Sequence, residues 1–269
     1  ERDGSAIAMG VWAGGHIEVG PHAGMNTGQA GPEAPWGPGY VMLNQLGKRF
    51  CDECAGGAEG SAYMVPRQPK GSVVAIADAN WQDLVYSMPP CHEAVDYARS
   101  KGWPATVESM EAVKPGDEPT TAIAYSSQPD VYCAETLEDL VRVVGCWDED
   151  EQAAALAELK RYQEMAAAGQ DDDFAKDPRI LAVSKLDTPP FYGIRRGDGG
   201  VAAILGGLVI NTDCQVLNDN DEPIEGLFAT GNVSGPFFGG VDYPMYIHGL
   251  SIGRALTTGY IAGKFAANL

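Results

Sequence analysis

The 269-residue chain sets 37 acidic against 18 basic side chains, a formal charge of −19. That balance argues against nucleic acid and anionic membrane surfaces as partners, because both recruit basic patches. No apolar run approaches the ~18 residues that a membrane-spanning helix needs. The bulk composition, 45% apolar with 34 glycines and 18 prolines, is that of a globular chain with many turns. Its acidity reads first as solubility, with weak docking to a basic redox partner as the alternative. No basic segment followed by an apolar one stands at Glu1. The compartment stays open between cytoplasm and export behind an upstream leader.

Along the chain, residues 4–14 read as a small-residue helix closed by Gly14 and Gly15. Residues 20–39 are rich in Gly and Pro and read as loop. Tyr40–Asn44 is a strand candidate, followed by a turn at Leu46-Gly47. Cys51-Asp52-Glu53-Cys54 is a CxxC without a second pair, so free thiols are expected over a redox or metal site. The other four cysteines (Cys91, Cys133, Cys146 and Cys214) are scattered, unlike a disulfide scaffold. Ser72–Ala77 is a second strand candidate, with a helix start near Asp78–Trp81.

The pattern over 87–131 resolves no elements. Thr136 then opens a helix with Asp139 in the position of a capping-box acid and Leu137, Leu140, Val141 and Val144 as its apolar stripe. A longer helix is expected from about Asp150 to Ala168. Its inward side holds Ala155, Leu156, Leu159, Tyr162, Gln163 and Ala166, and Gly169 closes it. Acids at its start suit the helix dipole. Gly200–Ile210 reads as a buried strand, Asn218–Asp221 as a turn, Gly226–Thr230 as a short strand and Ser251–Ala267 as the last helix.

The chemistry concentrates in residues 226–253. A short apolar strand ends at Gly231-Asn232, where the backbone can approach a ligand closely. A glycine/aromatic loop follows, and then Gly249, Leu250, Ser251 and Ile252 begin a helix. Its first turn offers unpaired N–H groups and the positive end of the dipole, a site for an electronegative edge. A strand–loop–helix without ligand fits the same pattern.

The stretch GLFATGNVSGPFFGG at 226–240, then Tyr243-Pro244 and GRALTTGYIAGK at 253–264, resembles the C-terminal end of the fumarate reductase/succinate dehydrogenase-type flavoproteins, a superfamily that includes the 3-ketosteroid dehydrogenases. DGSAIAMGVWAG at 3–14 is similar to the helix after that family's first FAD-domain segment. Leu43 to Phe50 with Asp52-Glu53 resembles its "VNxxGxRFxNE" stretch. Arg161–Glu164, Gly169, Asp171–Phe174 and Pro189–Tyr192 resemble its helix and re-entry strand.

The resemblance implies FAD as cofactor and an α/β fold, in which a Rossmann-like FAD-binding domain carries an inserted α+β substrate cap. It places FAD-domain segments at 1–18 and 186–269 and the cap at 19–185. The strand–GxGxxG–helix that holds the FAD pyrophosphate in such proteins has no counterpart in these residues, so a missing N-terminal FAD-binding segment is expected as partner. An electron-donor protein or an FMN or haem domain is the other implied partner.

By the same resemblance, His22 stands at a substrate-binding histidine and Arg67 near a proton-donating arginine, although its spacing is longer. Arginine is normally always charged, so carboxylate binding or a plain surface role for Arg67 stays open. Asn232 stands where the fumarate reductases hold the FAD ribityl chain with a glutamate; the steroid branch carries asparagine. Gly249 matches the glycine whose N–H polarises a ketone in the steroid branch, and Tyr243 or Tyr246 would supply the accompanying hydroxyl, with a two-residue gap.

The fumarate reductases' histidine before the Gly-Gly strand is absent from residues 202–210, and the carboxylate-clamping arginine is absent from 241–248. A dicarboxylate needs paired cations. The implied reaction is therefore hydride transfer between FAD and a C=C bond conjugated to a carbonyl or similar activating group. The substrate would be a small unsaturated molecule, an enone or an unsaturated acid. The alternative is a non-catalytic cap and FAD-domain fragment that binds no FAD without its N-terminal part.

Overall fold

A computed structural model describes residues 4–22, 24–26, 39–54, 64, 67–87, 113–117, 120–121, 130–196, 201–204, 206–238 and 249–268. Its elements are, in order, α1 (Ser5–Trp12), β1 (Gly24–Asn26), β2 (Val41–Asn44), β3 (Val73–Ala77), α2 (Trp81–Ser87), β4 (Thr120–Thr121), β5 (Asp130–Ala134), α3 (Leu137–Val144) and α4 (Glu149–Ala168). The series continues with α5 (Pro178–Leu181), β6 (Phe191–Arg196), β7 (Val201–Ile204), β8 (Gln215–Leu217), β9 (Pro223–Phe228) and α6 (Leu250–Ala266). The chain divides into two compact units, one built from 1–25 and 201–269, the other from 26–200.

The larger unit is an antiparallel five-stranded sheet in the order β2-β3-β6-β5-β4. All five residues of β3 are buried. Val73, Ala75 and Ala77 face one core with Trp81 and Leu84 of α2, while Val74 and Ile76 face a second core beneath α3 and α4. A strand covered on both faces reads as one apolar run, not as an alternation. Helix α3 docks through Leu140 and Val144 onto Gly193 of β6, where an added Cβ would stand 2.8 Å from Val144 Cγ2.

Strand β6 stands in the middle of this sheet: Phe191–Arg196 pairs with β3 on one side and β5 on the other. Its partners are distant in sequence, and its own mix of Gly193, Arg195 and Arg196 carries no local sign of them. The loop expected over 20–39 contains the short strand β1, which pairs with β7.

The two helices predicted between Thr136 and Ala168 both form. In α3, Thr136 Oγ1 accepts the Asp139 N–H at 3.1 Å and donates to Asp139 Oδ2 at 2.8 Å. The cap therefore closes side chain to side chain, without the reciprocal backbone bond of a full box. That full box occurs in α4. Asp148 Oδ1 accepts from the Glu151 N–H at 2.9 Å, and Glu151 Oε2 accepts from the Asp148 N–H at 3.0 Å. Gly169 ends α4 in the left-handed region, φ 75°. The turn before Lys48 lies on the start of α4. Gly47 has φ 66°, and a Cβ there would meet Glu151 O at 2.5 Å. Trp147 Nε1 donates to Asn44 O at 3.0 Å beside it.

A charged cluster is sealed inside this unit. The Arg49 guanidinium donates to Glu53 Oε1 and Oε2, both at 2.9 Å, and to Asp171 Oδ1 and Oδ2 at 3.2 and 2.8 Å. Lys176 Nζ donates to Gly39 O at 2.6 Å and the Tyr162 hydroxyl at 3.1 Å, and lies 3.3 Å from Glu53 Oε2. Two cations thus face two carboxylates, with the Tyr162 and Phe174 rings against Arg49.

In the smaller unit, residues 206–210 bridge the segment after α1 to the β8–β9 hairpin and to Ser234. The buried strand expected over 200–210 is therefore broken. β7 ends at Ile204, and among the described residues up to 210 Leu208 and Ile210 make isolated bridges. Leu208, Val216 and Ala229 form a small core. Gly10 of α1 packs on Leu208 so tightly that a Cβ would lie 2.2 Å from it.

Candidate flavin-facing site

The smaller unit holds most of the residues singled out in the sequence. Strand β9 leads into a single 3-10 turn, Gly231–Val233, that packs on α6. Gly231 is buried at φ 60°, and a Cβ on it would meet Ala255 of α6 at 3.3 Å. Its N–H donates to Thr258 Oγ1 at 3.0 Å. Asn232, next in the chain, is exposed.

Helix α6 starts after Gly249, which is left-handed at φ 72°, and no side chain among the described residues caps it. Leu250, Ser251 and Ile252 form the first turn, and Gly253 N–H bonds back to Gly249 O at 2.7 Å. Nothing among the described residues lies within 4 Å of a Cβ built at Gly249 or Gly253. This end of the helix carries the dipole's positive pole. Asn232 and this turn belong to one unit, joined through the packing of Gly231–Val233 on α6.

His22 is half-buried against Gly206, where a Cβ would meet its Nδ1 at 2.6 Å. The neighbouring Gly207 accepts the Glu18 N–H at 3.0 Å and donates its own N–H to Glu18 Oε1 at 2.9 Å. A Cβ on Gly207 would lie 2.4 Å from Val233 O. His22 and the Gly231–Val233 turn therefore sit at the two ends of one short segment. Arg67 lies in the other unit, exposed, with its backbone N–H on Met64 O at 3.2 Å. Tyr243 and Tyr246, like His248, fall outside the described residues.

The sequence reading passed over Arg254. This residue is buried in the second turn of α6. Its guanidinium donates to Ser234 O and, at 3.0 Å, to Ser234 Oγ, and lies over the Phe237 and Phe238 rings at 4.5 and 5.5 Å. Burial pulls its pKa below the usual arginine value, partly opposed by the Glu18 carboxylate. An arginine in a helix ordinarily reads as surface. The signal available was its spacing from Thr258, one helical turn on.

Cys51 and Cys54 of the CxxC are free thiols. Burial, reinforced by neighbouring carboxylates, pushes Cys51 up to about 12. Burial also takes Cys54 to about 12, against the pull of Lys176. Neither is a ready thiolate at neutral pH.

Comparison with known proteins gives a consistent kinship. A vinyl phenol reductase of Lactiplantibacillus plantarum is 35% identical over 109 residues, 40% of this chain and 21% of that protein. An NADH:fumarate oxidoreductase of Klebsiella pneumoniae is 26% identical over 261 residues, 97% of this chain and 23% of its own length. The chain thus spans between a fifth and a quarter of these two relatives. The fold matches the crystal structure of a 3-ketosteroid delta1-dehydrogenase from Sterolibacterium denitrificans with a TM-score of 0.63. That match has 20% identity and covers 98% of this chain and 46% of that one. The profile of the FAD binding domain family matches residues 2–243. This chain belongs to that FAD binding domain family.

Proposed function

We propose that the complete polypeptide is a flavin-dependent oxidoreductase that moves hydride between FAD and a C=C bond conjugated to a carbonyl or similar activating group. The observation that carries the reading is the start of α6 at Gly249–Ile252, the positive end of its dipole, in the same unit as the exposed Asn232. Together they form a donor set suited to the flavin ring and ribityl end of FAD. They do not suit the pyrophosphate end, whose glycine-rich cradle has no counterpart in these residues. A further N-terminal segment is therefore part of the proposal. Exposed apolar side chains on the smaller unit support it: Trp12 on α1, and Ile252, Leu256 and Tyr260 along one side of α6.

FAD supplies the hydride chemistry when bound. In this reading, the chain's own residues orient and polarise. The Gly249–Ile252 amides hold the electronegative edge of the flavin, and Asn232 takes the ribityl chain. Tyr243 or Tyr246, with the Gly249 N–H, holds a substrate oxygen that gains charge as carbon accepts hydride. His22 binds substrate, and Arg67 donates the proton or stabilises the developing anion.

By their names, the relatives act on a vinyl phenol, on fumarate and on a 3-ketosteroid, and two of these three substrates carry no carboxylate. The loop at 241–248 contains no arginine, which favours the neutral kind. The test is to purify the complete polypeptide, record its visible spectrum, reduce it and follow reoxidation by enones, cinnamate-type acids and fumarate. A yellow protein reoxidised faster by a conjugated ketone than by fumarate is expected. A colourless protein that takes up no FAD overturns the reading.

A further inference from the structure

The turn Gly231–Ser234 is fastened to α6 at two points by four residues in a closed circuit. Gly231 N–H donates to Thr258 Oγ1 at 3.0 Å, and that hydroxyl donates to Arg254 O at 2.8 Å. Arg254 Nη2 donates to Ser234 O and, at 3.0 Å, to Ser234 Oγ. Ser234 Oγ closes the circuit by donating to Gly231 O at 2.8 Å. Phe237 and Phe238, packed edge to face at 4.7 Å, cover the guanidinium.

Burying a guanidinium is costly without compensating bonds. Among the described residues no carboxylate lies within ion-pair distance of Arg254, and its guanidinium donates to Ser234. That expense secures very little core, since the smaller unit's buried cluster is Leu208, Val216 and Ala229. It secures the geometry of one turn. The residue left exposed between the two fastened ends, Gly231 and Ser234, is Asn232. A side-chain amide binds well only when its orientation is fixed before the ligand arrives.

We propose that Arg254 and Thr258 are positioning residues for the cofactor: they clamp the Gly231–Ser234 turn on α6 so that Asn232 is held ready for the ribityl chain of FAD. The inference rests on the flavin reading above. Neither residue touches FAD in this scheme, and both act through Asn232.

The experiment is a double-mutant cycle in the complete polypeptide. FAD dissociation constants are measured by flavin fluorescence for the wild type, Arg254→Met, Arg254→Lys, Thr258→Val, Asn232→Ala and the Asn232→Ala/Arg254→Met double variant. Visible circular dichroism of the bound flavin and thermal unfolding of each apoprotein are recorded alongside. Arg254→Met and Thr258→Val are each expected to weaken FAD about tenfold, which corresponds to ~1.4 kcal/mol. Both should alter the flavin dichroism, with Arg254→Lys recovering part of the loss. Once Asn232 is alanine, Arg254→Met should have little further effect. Thr258→Val keeps the side-chain volume and carries the test if Arg254→Met does not fold. Wild-type affinity in both clamp variants overturns the inference, and so do losses that multiply in the double variant. A wild type that binds no FAD overturns the flavin reading itself.

Discussion

Asp171 shows how strongly one residue can be bound to its surroundings. Burial works against its charge, yet the bonds from Arg49 and the N–H groups of Asp173 and Phe174 outweigh it and hold its carboxyl down at about 2. Glu53, equally enclosed, is lowered by Lys176 and Arg49 against the same burial. Carboxylates whose folded pKa lies below the unfolded value of roughly 4 add stability that is full above that pH. The contribution is lost as pH falls through the folded value. The larger unit should therefore lose stability as acid is added between about pH 4 and pH 2, in the window set by Asp171. Asp171→Asn should lower stability at neutral pH and flatten that stretch of the acid-unfolding curve. Equal slopes for the two proteins, followed by circular dichroism, would count against the cluster as their source. By contrast, Lys48 and Glu158 pair at 3.2 Å near the surface, where such a bridge contributes roughly 0–1 kcal/mol.

At the level of elements, two left-handed glycines separate conformation from space. Gly169 has φ 75° with nothing among the described residues within 4 Å of an added Cβ. Gly47 has φ 66° and would place that carbon 2.5 Å from Glu151 O and 2.6 Å from Ala155 N. Gly169→Ala should cost only the left-handed strain, about 1–2 kcal/mol. Gly47→Ala adds a clash with backbone at the start of α4, for a further ~1–3 kcal/mol. Urea unfolding of the two variants measures the difference, and equal losses would remove the clash from the account. The same helix was the most legible element in the sequence, because its start and end are local: acids over Asp148–Glu151 and Gly169 after the last turn. β6 was illegible for the opposite reason. FYGIRR has no period of its own, and its place is set by β3 and β5, far away in the chain. The site divides along the same line. The glycines and Asn232 stand out because their types are unusual for their places. The Arg254 clamp joins α6 to a turn 20 residues earlier in the chain, and no local pattern announces it.

For the whole molecule, the question is what this stretch of chain can do by itself. In the proposed reading it holds the turn and helix start that face the flavin ring, while the pyrophosphate cradle and the cover for Trp12, Ile252, Leu256 and Tyr260 are not among its described parts. Titrating FAD into residues 1–269 should therefore give weak or no binding, where the complete polypeptide binds stoichiometrically. Tight binding by 1–269 alone, read by fluorescence, would make the proposed N-terminal segment dispensable.

The division of the chain has a further effect during synthesis. The smaller unit takes one piece from residues 1–25 and the rest from 201–269, with the whole larger unit between them. A ribosome adds roughly 5–20 residues per second, so α1 emerges on the order of ten seconds or more before Leu208, the residue its Gly10 packs against. The inserted unit can complete its sheet as soon as β6 is out. During that interval the nascent α1, with Trp12 and Met9 on its surface, lacks its packing partner, and the candidate site is completed only by residues that follow the inserted unit.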